Sequence, residues 1–388
     1  MKKPINLLIF TKSVDGGTGT FVTSFLNINN KVQSSIWINT KILCLEEPSY
    51  RRLNKNNFIF FRNKNFYPEK YNLSFKNINN FFREFMWFKN NVNKFKPDVI
   101  IGVDVHCNLL IQLEKYLFRS KINTILTTHI DLEQTLTDKS TLLTKILIKK
   151  LITFFYNKTD YLACVSKELA KNFQTNFNLK KHVIAIYNGN PHAPARYSNK
   201  VKSLPKRKKN VLISVSRLTK QKDHETLIKA FSLVEKGVPN TELWILSDGP
   251  ERNHLIKQVK MLKLSKKIKF LGWVKSIYPY IDKAQIFVLS SKREGFAYCL
   301  TEAMAQGIPV ISTDTNFGPR EVLDNGKYGI LVPEGDVDKL KNAIIYLLTN
   351  PKKYNYYSKM ALERNKYFSE EKMLKDYFKL ILKTIKNQ

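Results

Sequence analysis

The sequence is short of acid. Across 388 residues Asp and Glu number 32 against 65 Lys and Arg, a formal charge of +33 at pH 7. A field of that size draws anionic surfaces and ligands, which makes nucleic acid and anionic lipid both candidate partners. Plain lysine-rich composition bias explains the same excess with no function attached. Also missing is any apolar run near the ~18 residues that a membrane span needs. The opening MKKPINLLIFTKS has lysines and a short apolar stretch, but Thr11 and Lys12 end it too early for a secretory signal. It reads as the first buried strand of a cytoplasmic protein. Cysteine is scarce: Cys44, Cys107, Cys164 and Cys299 lie far apart, mostly beside apolar residues, as reduced core thiols do and a disulfide set does not. His106-Cys107 has no second pair at a metal-ligating spacing. No internal repeat is visible.

What is present is length and alternation. The chain is too long for one ordinary core and predicts two domains, and 43% hydrophobic residues are ample for globular folding. Apolar runs alternate with amphipathic stretches, the pattern of βα units and parallel sheets. Strands are expected at 5–10, 58–61, 99–103, 124–127, 161–165 and 183–186, with helices at 21–27, 78–95, 108–118, 141–156 and 167–177. A second series has strands at 211–215, 242–246, 268–271, 286–289, 310–312 and 329–332 and helices at 224–234 and 339–348. Between the series, residues 191–209 lack apolar periodicity and carry three prolines, as an exposed linker does. The division is a first domain over 1–190, a second over 210–365, and a terminal helix over 366–388.

Residues 290–309, SSKREGFAYCLTEAMAQGIP, carry the most chemistry. Glu294-Gly295-Phe296 interrupts the chain just after the strand at 286–289, and a helical run follows with Glu302 about one turn in. That geometry aims backbone N–H groups and a helix N-terminus at a pocket flanked by two carboxylates. The helix N-terminus suits an anion and the carboxylates suit sugar hydroxyls, so the pair describes a holder for a sugar nucleotide. Two glutamates eight apart also occur on ordinary solvent-facing helices. The stretch resembles the E-x7-E motif of retaining GT-B glycosyltransferases, family 4 (glycosyl transferases group 1). The resemblance covers essentially the whole chain and is strongest from Asn210 to Glu334.

That resemblance implies an α/β GT-B fold: two Rossmann-like domains facing a cleft, the C-terminal helix crossing back to the first. It also implies roles. Ser214 to Leu218 and then Lys222 resemble the segment G-R-L-x-x-x-K, in which Arg217 and Lys222 hold the donor diphosphate; Ser216 stands where the family often has glycine. Fixed cations and a helix dipole neutralise a departing phosphate without a metal, so no cofactor is expected and the nucleotide sugar is a substrate. Ser247-Asp248-Gly249-Pro250 resembles the family's G-D-G-P turn, although an aspartate cap and a flexible glycine explain it structurally. Phe270 to Val274 resembles the segment whose main chain meets the nucleotide base. Glu294 is implied to contact the transferred sugar, Gly295, Phe296 and Ala297 to lie beside the phosphates, and Glu302 to grip the ribose. Gly318-Pro319-Arg320-Glu321 and Gly326 to Pro333 resemble a variant frequent among bacterial surface-polysaccharide transferases. Asp336-Val337-Asp338 is formally D-x-D, but it opens the helix at 339–348, where capping explains both carboxylates.

In the first half, Asp15 to Thr20 (DGGTGT) follows the first strand and enters a helix. Gly16 and Gly17 permit close backbone approach to a ligand, and a plain tight turn explains them equally. His129 follows the strand at 124–127, at the edge where open α/β sheets place ligands; the resemblance puts a histidine there near the reacting sugar. Asp131 either orients it or faces water. Tyr187-Asn188-Gly189-Asn190 resembles the turn that ends the first domain. Along 81–96, Phe81, Phe85, Phe88, Val92 and Phe95 form one helical stripe, a core face. Phe82, Met86 and Trp87 broaden it, and with residues 142–155 they offer an interfacial membrane face.

The expected activity is retaining transfer of a hexosyl or N-acetylhexosaminyl group from a nucleotide sugar, a UDP-sugar first of all. The expected acceptor is a lipid-linked saccharide, in polysaccharide or lipopolysaccharide synthesis at the inner membrane surface. A nucleotide-sugar epimerase or hydrolase on the same fold is the rival enzyme. A nucleic-acid binder is the rival from outside enzymology, but no such module is recognisable and the charge spreads over both halves.

Overall fold

Two separate parallel sheets form from the alternating pattern. The computed structural model describes residues 3–47, 55–61, 75–130, 132, 142–179, 182–190 and 210–386. In chain order the strands are β1 (Ile5–Thr11), β2 (Ile38–Cys44), β3 (Phe58–Phe60), β4 (Val99–Gly102), β5 (Asn123–Thr128), β6 (Tyr161–Cys164), β7 (Val183–Ala185), β8 (Val211–Val215), β9 (Glu242–Leu246), β10 (Ile268–Gly272), β11 (Ile286–Leu289), β12 (Val310–Thr313) and β13 (Ile330–Val332). The described α-helices are α1 (Gly16–Ser24), α2 (Ile28–Val32), α3 (Phe75–Phe95), α4 (Val105–Leu117), α5 (Leu142–Tyr156), α6 (Lys167–Asn176), α7 (His224–Gly237), α8 (Arg252–Met261), α9 (Tyr278–Ile281), α10 (Tyr298–Ala305), α11 (Pro319–Val322), α12 (Val337–Thr349), α13 (Pro351–Asn365) and α14 (Glu370–Lys386).

The chain divides into two units, Met1–Pro191 with Glu370–Gln388 and His192–Ser369. In the first unit the strand order is β3-β2-β1-β4-β5-β6-β7, and every pairing is parallel. Such a sheet is covered on both faces, so its strands read as continuous apolar runs; Leu7 to Phe10 and Val99 to Ile101 are all buried. Helix α14 belongs to this unit and packs on α2, β4 and β5. Tyr377 puts its ring edge-on to Phe21 at 5.5 Å and Phe25 at 5.1 Å. Gly189 N–H donates to Met373 Sδ at 3.1 Å, which seats the turn after β7 on the same helix.

In the second unit the order is β10-β9-β8-β11-β12-β13, again with parallel pairs throughout. Its core gathers Leu212, Phe231, Leu243, Ile245, Val288 and Ile344 between the sheet and helices α7 and α12. The four cysteines are free, three of them buried. Among the described residues no helix is long and apolar enough to cross a membrane.

Several elements differ from the sequence-based expectation, the short helices α2, α9 and α11 among them. Strand β2 was not expected, because Asn39, Thr40 and Lys41 interrupt its apolar run; it nevertheless pairs with β1 over its full length. Helix α8 was also missed: only Leu255, Gln258 and Val259 of its ten residues are buried, so its apolar face is narrow. Helix α1 begins at Gly16 rather than at 21, because glycines read as loop from sequence. Gly19 is held there by packing: a Cβ on it would sit 1.8 Å from the Val14 carbonyl oxygen. The stripe on α3 divides as its spacing predicts: Phe85, Phe88 and Val92 are buried while Phe82 and Met86 are exposed. The linker 191–209 and Asp131 lie outside the described residues.

Candidate active site

The second sheet has a topological switch point at β8. From β8 the chain builds outward through β9 and β10, then returns to β11 on the other side and builds through β12 and β13. At such a switch point open α/β sheets place their ligands, outside the carboxyl ends of the strands. Ser216, Arg217 and Lys222 follow β8; Ser290 to Ala297 follow β11.

Side chains and main chain stitch these two loops together. Ser290 Oγ donates to the Lys222 carbonyl at 2.9 Å, and Lys292 N–H donates to the Gln221 carbonyl at 2.8 Å. Gln221 Nε2 donates to the Arg293 carbonyl at 3.0 Å, and Thr313 Oγ1 to the Ser291 carbonyl at 2.5 Å. Within that frame Lys222 Nζ meets Glu294 Oε1 at 2.5 Å, and Ser291 Oγ donates to the same oxygen at 2.6 Å. The Lys222 side chain is 14% exposed and that of Glu294 is 7%. Desolvation makes each charge costly alone, and the pair with its extra hydroxyl makes both tolerable. Arg217, on the same loop, is exposed, and its guanidinium has no partner among the described residues.

Helix α10 starts at the end of the second loop. Ala297 is its N-cap, in the left-handed region at φ 62°, and no side chain caps the helix. The first-turn N–H groups thus lack the usual side-chain acceptor, which is the arrangement that receives an anion. Gly318 lies against this turn at φ 82°, where a Cβ would come 3.1 Å from the Phe296 backbone. Arg320 fixes the Gly318 loop by donating to both oxygens of Asp314, at 2.8 and 2.6 Å.

Several titratable groups here are tuned by burial. His224, whose Nε2 lies 3.1 Å from Ser216 Oγ, is pushed down to about 4 by burial, with the Lys222 charge acting in the same direction. It is a neutral imidazole near pH 7. Burial and the nearby Glu294 charge push the Cys299 thiol up, so it is not a ready nucleophile.

The structure brings Lys222 and Glu294 into contact and places Arg217, Gly295, Phe296 and Ala297 on the same two loops. Glu302 lies half-buried within α10. Val274 follows β10 at the same carboxyl edge, two strands away from β8. His129, Gly16 and Gly17 belong to the first unit. There His129 packs edge-on against Phe21 of α1 at 4.6 Å, accepts or donates with Thr127 Oγ1 at 3.1 Å, and is held down to about 4 by burial. Asp336 caps α12 by accepting the Lys339 N–H at 2.9 Å, the structural role assigned to it above.

Sequence reasoning missed Ser291, Gln221 and Thr313, which position the ion pair. The signal for Ser291 was its place immediately after a buried strand and three residues before Glu294. It also missed Asp104, which follows β4 and accepts the Lys12 N–H at 2.6 Å and the Thr11 hydroxyl at 3.0 Å. Burial pushes that carboxyl up.

Two Rossmann-like units, the second with cations and an open helix start at its switch point, define a GT-B glycosyltransferase. Two family models match in tandem, Glycosyltransferase Family 4 over residues 43–192 and Glycosyl transferases group 1 over residues 196–364. The chain belongs to this family of glycosyltransferases. It is 29% identical over 333 residues to an uncharacterized glycosyltransferase of Methanocaldococcus jannaschii, covering 76% of this chain and 81% of that one. It is 28% identical over 235 residues to the N-acetylgalactosamine-N,N'-diacetylbacillosaminyl-diphospho-undecaprenol 4-alpha-N-acetylgalactosaminyltransferase of Campylobacter jejuni, covering 60% of this chain and 63% of the enzyme. Among solved structures, Anabaena HepE in complex with UDP and glucose superposes with a TM-score of 0.74 at 16% identity, over 98% of this chain and all of that one. That likeness shows the fold.

Proposed function

We propose that this glycosyltransferase moves a hexosyl or N-acetylhexosaminyl group, with retention of configuration, from a UDP-sugar to a lipid-linked saccharide. The setting is cell-envelope polysaccharide or lipopolysaccharide synthesis on the cytoplasmic face of an anionic inner membrane. One observation carries the reading: the buried Lys222–Glu294 pair beside the unpartnered Arg217 at the switch point of the second sheet. The Campylobacter relative is named for action on a diphospho-undecaprenol substrate, and HepE is solved with UDP, which support the acceptor class and the nucleotide.

Charge grows on the leaving diphosphate as the sugar departs. Lys222 and the first-turn N–H groups of α10 are donors already in place, and the exposed Arg217 adds a second charge, so together they neutralise it. Arg217 and Lys222 are the cations of the reaction, with no metal and no cofactor called on. Glu294, anchored by Ser291 and Lys222, offers its second oxygen to a sugar hydroxyl, and Glu302 takes the ribose. Gly295, Phe296 and Ala297 bring main-chain groups to the phosphates, and the main chain at Val274 meets the base. On the first unit, which carries the acceptor, the neutral His129 suits hydrogen bonding to a hydroxyl, and Gly16 and Gly17 leave the backbone open to a ligand. A front-face departure and attack on one side of the sugar needs no protein nucleophile.

Incubating the protein with UDP-, GDP- and ADP-sugars, with and without undecaprenyl-diphosphate-linked saccharides, tests this. Sugar transfer from a UDP-sugar only when the lipid-linked acceptor is present supports it. Donor turnover without acceptor would instead make the protein a hydrolase or epimerase.

A further inference from the structure

Helix α10 starts from a turn that its own sequence does not favour. Ala297 takes φ 62° and ψ 67°, the left-handed region, which costs alanine more than glycine. No side chain caps this turn, and the Leu300 N–H closes it by donating to the Ala297 carbonyl at 3.0 Å. Strain of this kind persists where the surroundings over-determine the backbone. Two supports do so here. Gly318 lies against the Phe296 backbone, where a Cβ would come within 3.1 Å. Phe368 sets its ring edge-on to the Phe296 ring, at 5.5 Å and 77°. Both rings are buried.

Both supports lead to Arg364. Its Nε and Nη2 donate to the carbonyls of Val322 and Glu321, at 2.9 and 2.7 Å, and so tie down α11, whose N-cap is Gly318. The same guanidinium lies 5.2 Å from the centroid of the Phe368 ring and 5.3 Å from that of Tyr328. Just past the other end of α10, Ser358 Oγ donates to the Gly307 carbonyl at 2.6 Å. Helix α13 and the turn after it therefore hold α10 from both ends. All of these residues belong to the second unit.

We propose that Phe368 is a positioning residue for the donor diphosphate: its ring holds Phe296, and through Phe296 it keeps Ala297 left-handed and the first-turn N–H groups of α10 aimed at the phosphates. Phe368 acts only through Phe296. A ring in an ordinary core contributes burial, and its loss weakens the whole unit alike. The contact made by Phe368 is different, because the residue it packs on adjoins a strained one. With the ring removed, Ala297 relaxes toward a conformation that alanine prefers, and the N–H groups that follow it turn away. Hydrogen bonds weaken steeply when they are misaligned, so the phosphates lose contacts. The base and ribose, met at Val274 and Glu302, do not. The inference deepens the proposed function and rests on its placement of the diphosphate at α10.

UDP and uridine isolate that effect, because they differ only in the diphosphate. Their affinities are measured on the full chain by titration calorimetry, that of uridine through its displacement of UDP. Phe368→Ala is expected to bind UDP about tenfold more weakly, as on loss of one charge-assisted hydrogen bond, with uridine affinity within about twofold of native. Phe368→Leu keeps part of the apolar contact and should fall between, and it decides the matter if the alanine variant does not fold. Phe231→Leu, in the buried core cluster of the same unit that does not include Phe296, should lower stability and leave the ratio of the two affinities unchanged. A parallel fall in both affinities would make Phe368 a structural contact and overturn the proposal, as would native UDP affinity in both Phe368 variants. A native chain that binds neither ligand overturns the nucleotide reading and this inference with it, whereas native binding with insensitive variants overturns this inference alone.

Discussion

Lys222 and Glu294 each face a different loss if the other is removed. Without Lys222, Glu294 is a buried carboxylate with one hydroxyl for company; without Glu294, Lys222 is a buried ammonium. Breaking such a pair costs about 3 kcal/mol or more, while removing both partners costs less. Lys222→Ala should therefore lower stability in urea by about 3 kcal/mol, and the double variant Lys222→Ala with Glu294→Ala should recover a good part of it. Sugar transfer should stay lost in the double variant, since repair of the charge balance does not restore a phosphate donor. Equal stability of the single and double variants would show that the pair is not coupled. His224 gives a second handle at this scale. Its folded value of about 4 lies below the unfolded value of about 6.5. Between those values the unfolded state holds the proton and the folded state does not. Stability is thus complete above the unfolded value and falls as the pH drops toward 4, by up to about 3 kcal/mol. Unfolding midpoints measured at neutral pH and at pH 5 should separate less for His224→Gln than for the native chain, the remainder coming from His129, which is lowered in the same way; equal separations would refute the assignment.

At the scale of elements, α14 is the piece whose position in the chain least resembles its position in the fold. It follows the second unit in sequence and completes the first, burying Met373, Leu374, Tyr377 and Ile381 there. Each such side chain contributes about 2 kcal/mol, so together they rival the whole stability of a domain. Truncation after Ser369 should abolish the cooperative unfolding of the first unit while UDP binding by the second persists. A truncated chain that keeps both unfolding transitions would contradict this packing role. Most elements were legible before the structure, because parallel strands covered on both faces are short apolar blocks that stand out from amphipathic helices. What escaped were elements whose burial is one-sided or carried by polar residues. Asn39 and Lys41 in β2 face outward beside a buried Thr40, and α8 shows only a narrow apolar stripe. At the site, Arg217, Lys222 and Glu294 were legible as a motif, but Gln221, Ser291 and Thr313 were not. The roles of Gln221 and Thr313 come from hydrogen bonds across 72 and 22 residues of sequence, which no local pattern records, while Ser291 reaches Glu294 three residues on.

Across the whole molecule the same plan is used twice. Each unit is a parallel sheet with a strand, β1 or β8, where the build direction reverses, and each opens its loops at the carboxyl edge. The glycine-led α1 follows β1; Arg217 and Lys222 follow β8. The two copies differ in chemistry. Both helix starts lack a side-chain cap, but beside β1 the carboxylate of Asp104 accepts main-chain and hydroxyl donors at the edge, whereas beside β8 the loop carries the exposed Arg217. The proposed reading puts the nucleotide diphosphate on the second unit, at that cation. The most direct test is a calorimetric titration of UDP into the native chain and into Arg217→Ala, a variant of an exposed side chain that should leave the fold intact. The account predicts a saturable isotherm for the native chain and an affinity lower by at least tenfold, about 1.4 kcal/mol, for the variant. Equal affinities would contradict it, and would move the phosphate site away from the loop that follows β8.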